Sequence, residues 1–316
     1  MEQEIRLLNG EEEIRLVNGR LLDEVVQSHA HWMEDESSGF RCVLDRETLS
    51  EKLLPGLHLQ GAIIRGTGFV DADLSGGDWS RATIEDANFQ RAILTSIDLG
   101  GAEVSESDLS FCWLTGAIFS DAKLRNCNFR RASARDGRFQ GVVIEGCKFM
   151  GAIMNGTSFH NARIATSDFS ESEFEYAQFY RTQMVASRFV AVNGNGANFS
   201  SSRLKECVFS KAALTGAKFF QADLRAAQFD RAALNDTDLR EAQLNGADFG
   251  RAELRNAHLR GANLFAADFR GADLTNAREL TAAQLAQART DESTILPNGS
   301  RGPYRRYSSA ERPASS

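Results

Sequence analysis

Large apolar residues recur at every fifth position from Leu44 to Leu274, and only Ala134 and Gly194 among these stops lack a sizeable side chain. Two residues before each stop, from Ala62 to Ala272, the side chain is small, with Ile97, Val142 and Val192 as the exceptions. No insertion shifts the register. A period of five fits neither the 3.6-residue helix nor the two-residue strand. It fits a chain that turns a corner about every five residues and sends one large and one small side chain inward from each short side. A fixed internal period predicts a solenoid in which each repeat contacts only its neighbours.

The unit is clearest in Ala72-Asp73-Leu74, Ala247-Asp248-Phe249 and Ala262-Asn263-Leu264. It resembles the pentapeptide-repeat family, whose unit reads Ala-(Asp/Asn)-Leu followed by two variable residues. The resemblance covers roughly residues 42–278. It implies an all-β fold, a right-handed quadrilateral parallel β-helix with four pentapeptides per coil, bacterial in type.

The coil length has independent support. Sorted at twenty-residue steps, one set of large positions runs from Phe69 to Phe269 with Leu109 as its one aliphatic interruption. The set half a coil away carries Phe119, Phe139, Phe159, Phe179, Phe199 and Phe219, while the other two hold mostly Leu, Ile and Met. A twenty-residue coil explains this sorting and gives about 11–12 coils, roughly 55 Å at the ~4.8 Å spacing of neighbouring strands. One coil buries four large side chains, on the order of 6–12 kcal/mol. Ordering its twenty residues costs more than that. The coils must therefore stack to be stable, and open ends would be templates for aggregation.

Composition changes at both ends. Residues 1–41 are expected to form a capping segment with one helix, on which Leu22, Val25, Val26, His29, Trp32 and Met33 recur at helical spacing. Trp32 is its expected main apolar contact. Glu4–Gly10 nearly repeats as Glu13–Gly19, each ending in the Asn-Gly turn signal. Residues 42–278 form the β-helix. Residues 279–298 form a second helical cap, with Thr281 capping a helix through about Ala288 and Leu280 and Leu285 facing the last coil. Residues 299–316, rich in Ser, Arg and Pro, are expected to be disordered.

Nothing in the chain signals catalysis, and a non-enzymatic role is expected. All five cysteines (Cys42, Cys112, Cys127, Cys147, Cys207) fall on the small inward position, where Cys replaces Ala or Ser. Cys127 and Cys147 stack at twenty residues, within disulfide reach, but a reducing compartment would keep them as thiols. No Cys or His spacing suits zinc, and no phosphate loop or nucleophile elbow is present. No cofactor is expected. The N-terminus lacks a signal-peptide pattern and no apolar run approaches a membrane span, so a cytoplasmic protein with no membrane partner is expected.

The net charge is −7, of which residues 1–53 carry −7, residues 54–278 carry −1 and residues 279–316 carry +1. Two functions follow from the resemblance and the charge. The first is a rigid scaffold presenting a surface to an unknown protein partner. Its candidate surface is the outward column His160, Tyr180, Phe220 (interrupted by Ser200), with Tyr176 one corner earlier. A basic column of Arg91, Arg131, Lys211, Arg231 and Arg251 reads as a solvated face. The alternative is a DNA mimic that binds DNA gyrase, inhibiting the topoisomerase or protecting it from quinolones, as some relatives do. That mechanism needs phosphate-like negative charge. The repeat region is near neutral and carries a basic belt from Lys123 to Arg138, so only a local acidic patch, Asp73, Asp78, Glu103 and Asp108, could supply it. Ordinary nucleic-acid binding lacks a basic surface. Homodimerisation through an end cap stays open.

Overall fold

The computed structural model describes residues 13–313. Two compact units are present, Met1–Phe149 and Met150–Ser316. Both are built on the same rule: outside the C-terminal closing segment, each parallel pairing joins residues twenty apart.

In the first unit, strands β1 (Val43–Asp45), β2 (Ile63–Arg65), β3 (Thr83–Glu85), β4 (Glu103–Ser105), β5 (Lys123–Arg125) and β6 (Val143–Glu145) pair in sequence order as one parallel sheet. Three further ladders run through single-residue bridges such as Gly68↔Asn88, Asp73↔Ile93 and Asp98↔Ile118. Four ladders make the four sides of a quadrilateral parallel β-helix. The second unit has the same pattern by itself, with β7 (Arg163–Ala165), β8 (Gln183–Val185) and bridges through Asp273.

Every fifth residue turns a corner in the left-handed region, for example Asp71 at φ 57°, Arg91 at 60° and Gly116 at 68°. The Asp or Asn of the repeat also has a backbone role. Its side-chain oxygen accepts the N–H two residues on, as in Ser75→Asp73, Ser80→Asp78, Gly100→Asp98 and Gly250→Asp248. This Asx turn satisfies a donor at the corner.

The core of each unit is two facing stacks of rings. Phe69 and Phe89 lie 4.9 Å apart within 5° of parallel, and Phe229 and Phe249 5.0 Å apart within 2°. Phe159, Phe179, Phe199 and Phe219 form the opposite stack at 4.8–5.0 Å. The stacks meet edge to face, as between Phe199 and Phe209 at 78°, a favoured aromatic geometry. In the first unit Trp79 meets Phe69 and Phe89 edge to face and donates its indole N–H to Leu57 O at 2.9 Å. At many of the small inward positions a Ser, Thr or Cys donates to a backbone carbonyl, as Cys112 does to Phe89 O and Ser172 to Phe169 O. All five cysteines are buried free thiols.

The N-terminal cap is α1 (Leu22–Glu34), preceded by a turn that Arg15 and Leu21 bridge antiparallel. The first near-repeat, Glu4–Gly10, lies outside the described residues. Leu22, Val25, Val26 and His29 are the buried face of α1. Trp32, expected as the main apolar contact, is only half-buried and stacks on His29 at 5.4 Å. His29 takes that place because both its ring nitrogens meet backbone: Nε2 lies 3.0 Å from Gln60 O, and Nδ1 accepts Cys42 N–H at 3.1 Å.

At the other end α2 is a single turn, Ala282–Leu285, shorter than expected. Thr281 and Gln284 form a reciprocal capping box. Gln284 Nε2 also donates to Leu259 O and Ala262 O, both at 2.9 Å. The closing segment then pairs as Asp268↔Arg289 and Asp273↔Ile295, one and two residues longer than the twenty-residue step. Residues 299–313, expected to be disordered, instead fold back on it. Ile295 bridges Arg301 antiparallel, Tyr304 N–H donates to Thr290 Oγ1 at 2.8 Å, and Ala310 is buried. Backbone hydrogen bonding supplies the order that the tail's low apolar content did not suggest.

Candidate interaction surface

Side chains outside the core are organised by the twenty-residue step, so each outward position forms a column. In the second unit the structure brings His160 and Tyr180 together edge to face at 6.2 Å. The Arg181 guanidinium lies 4.9 Å over the Tyr180 ring. Phe220, beyond Ser200 on the same column, is covered by Arg240 at 5.6 Å, and Arg240 is itself clamped to Asp238 by two hydrogen bonds. These three aromatic rings are half-buried. Tyr176 stands on a left-handed corner and is 69% exposed, its ring lying over Gly196, where a Cβ would collide with it. Tyr176 therefore presents a face to solvent, while Phe220 is partly covered by its arginine.

The acidic residues of the alternative patch are not brought together. Asp73 bridges Leu53 and Ile93, Asp78 bridges Asp98, Glu103 sits in β4, and Asp108 bridges Asn88 and Asn128. Those are four different sides of the β-helix. The four residues are also engaged, Asp78 through one of its two oxygens. Asp73 and Asp78 hold Asx turns, and Glu103 accepts Lys123 Nζ at 2.6 Å, which holds its carboxyl below the ordinary range. Burial works against the charge of Asp108, but hydrogen bonds from Ser110, Gln90 and Asn128 outweigh it and keep its pKa low. Sequence spacing alone grouped residues that a quadrilateral coil separates.

The basic column and belt are likewise partly spent. Arg91 forms a bidentate pair with Asp71 at 2.7 and 2.6 Å, which lowers the Asp71 pKa. Arg125 faces Glu145, and Arg131 lies over Phe111. In the second unit Asp223 and Asp268 are held below the ordinary carboxylate range by the arginines two residues on. Among the described residues no group of three His, Cys, Asp or Glu could hold a metal ion.

A second apolar column escaped the sequence reading. In the first unit Leu53, Ile93 and Trp113 lie on one ladder, separated by Asp73, and all are exposed, Trp113 by 60%. Phe111, also exposed, turns the corner before Trp113. Sorting outward positions at twenty-residue steps, as was done for inward ones, would have shown it.

A model described as "Pentapeptide repeats (8 copies)" matches in overlapping segments over residues 68–151 and 222–278, and one described as "Pentapeptide repeat region" matches residues 162–239. The chain belongs to the pentapeptide-repeat family. No curated protein matches it. Among solved structures, this pentapeptide-repeat chain is similar to HetL, described as involved in heterocyst differentiation regulation in the cyanobacterium Nostoc sp. strain PCC 7120. That match has 20% identity over 85% of this chain and 97% of the other, at a TM-score of 0.31. Rfr23 from the cyanobacterium Cyanothece 51142 matches at 29% identity over 34% of this chain and 89% of its own, TM-score 0.28. A trypsin-treated form of QnrB1, described as a plasmid-mediated fluoroquinolone resistance protein, matches at 18% over 71% and 89%, TM-score 0.30. No helix of the described residues is long and apolar enough to cross a membrane.

Proposed function

We propose that this pentapeptide-repeat protein is a non-enzymatic scaffold that presents its side-chain columns to a protein partner. One observation carries the reading. Many polar side chains are spent on the fold itself, in Asx turns and in ion pairs between coils, while aromatic residues remain at the surface in ordered columns. Tyr176, Tyr180 and Phe220 supply one such set, and Phe111 and Trp113, beside the aliphatic Ile93, another. Exposed aromatic clusters are the usual anchors of protein interfaces. Gyrase mimicry is less well supported, because the four acids that could imitate phosphates lie on separate sides.

The test is affinity capture from the native cell extract with the wild-type protein, Tyr180→Ser/Phe220→Ser and Ile93→Ser/Trp113→Ser. A partner retained by the wild type and lost in one variant of unchanged melting behaviour supports the scaffold and locates its contact. Gyrase binding that falls with salt and vanishes when Asp73, Asp78, Glu103 and Asp108 are neutralised would replace this reading with mimicry.

A further inference from the structure

Between α1 and the neighbouring coils the first unit holds a pocket of about 300 Å³, at the lower edge of the size range for small-molecule sites. Its helix side is apolar: Val26, Ala30 and Met33 line it. His29 adds only a ring face, since Cys42 N–H and Gln60 O occupy both its nitrogens and Trp32 stacks against it. The coil side is polar, with His58, Gln60 and Asp78. A Cβ at Gly56, which also lines the pocket, would meet nothing within 4 Å, so the approach is open there.

The polar groups have a defined sense. Asp78 N–H donates to His58 Nδ1 at 3.3 Å, which places the His58 proton on Nε2 as a free donor. One Asp78 carboxylate oxygen accepts Ser80 N–H at 2.9 Å. The other receives no hydrogen bond or ion pair from any described residue, and no Lys or Arg lines the pocket. The site therefore offers an unneutralised carboxylate oxygen and an N–H donor beside an apolar wall.

We propose that this pocket binds small organic ammonium ions with a hydrocarbon body. The ammonium pairs with Asp78, and the hydrocarbon packs against Val26, Ala30 and Met33. An oxygen next to the amine accepts from His58 Nε2–H. This is a small-molecule activity separate from the interaction surfaces, and it stands or falls without them.

Calorimetric titration with four probes on the full chain tests it: phenethylamine, 2-amino-1-phenylethanol, 2-phenylethanol and 3-phenylpropionate. The amines should bind saturably, at least tenfold tighter than the neutral alcohol, with the carboxylate weakest and the amino alcohol tightest. Asp78→Asn keeps an acceptor for Ser80 N–H and should cost the amines at least tenfold while leaving the alcohol unchanged. Ala30→Leu, which narrows the apolar side, should weaken all four at an unchanged melting midpoint. Equal binding of amine and alcohol, indifference of the amines to Asp78→Asn, or no saturation at millimolar concentration would each overturn the proposal.

Discussion

The ring of Phe174 fills the space that a side chain at Gly194 would occupy. A Cβ built on Gly194 would lie 3.0 Å from Phe174 Cζ and closer still to Cε2. Gly194 lacks the left-handed backbone of a corner, and Asn193 keeps its bridges to Glu173 and Ala213, so the site is a filled void and not a bulge. Phe174 is the one ring on a side that otherwise holds aliphatic residues and Ala134. It reaches edge to face toward Phe179, Phe189 and Phe199.

This pair predicts strong coupling. Phe174→Ala should cost roughly 3–5 kcal/mol as a cavity variant. Gly194→Leu should cost about 1–3 kcal/mol by overpacking. Phe174→Leu/Gly194→Leu restores the ordinary rung and should be more stable than the sum of its single changes. Denaturant midpoints of the double-mutant cycle measure this, and additivity would refute the filling relationship.

His29 makes cap stability depend on pH. Burial, aided by Arg41, lowers its pKa despite the opposing Gln60 hydrogen bond, so the folded form prefers the neutral ring. A folded pKa below the unfolded value of about 6.5 means the contribution is complete above that pH. It is lost as pH falls from the unfolded toward the folded pKa. The limiting slope for one proton is about 1.4 kcal/mol per pH unit. The opening equilibrium of α1, taken from hydrogen exchange after division by the intrinsic amide rate at each pH, should rise on acidification in the wild type and much less in His29→Gln.

Corner residues set a second stability test. Thr166 adopts φ 49°, a conformation that costs an L-residue roughly 1–2 kcal/mol and is unusual for a β-branched side chain. Thr166→Gly should raise stability by about 0.5–1 kcal/mol after the entropy of glycine is subtracted. Gly216→Val places a branched residue at φ 68° with open space around it and should lower stability by about 1–2 kcal/mol. The two melting midpoints should move in opposite directions.

The thiols should be silent in the folded protein. Burial pushes Cys42, Cys112 and Cys207 up to about 12; the Cys127–Cys147 hydrogen bond, with burial, raises Cys147, and the same bond lowers Cys127, which burial keeps from reagent. Labelling with a thiol reagent at neutral pH should follow global unfolding, with all five reacting only in denaturant.

Fold and surface differed in how far the sequence showed them. The Phe stacks were readable because an inward rung tolerates few residues, so Phe69 through Phe269 had to recur in step. Trp113 and Ile93 were missed because an outward position accepts almost any residue without harm to the coil. His29 was placed on α1 but its role was hidden, since Cys42 and Gln60 meet it through backbone atoms that carry no sequence signature. The order of the tail from Gly299 was hidden for the same reason: Thr294 O accepts Gly302 N–H and Leu296 N–H donates to Ser300 O, both backbone to backbone.

A crystal grows because each new layer reproduces the surface on which it landed. Each twenty-residue coil does the same for the next. The closing segment supplies the hydrogen bonds of another layer, as in Phe269 N–H to Arg289 O and Leu274 N–H to Ile295 O, but reaches them with extra residues and then reverses at Arg301. A layer with the right contacts and the wrong step is a growth poison, and this chain carries its own.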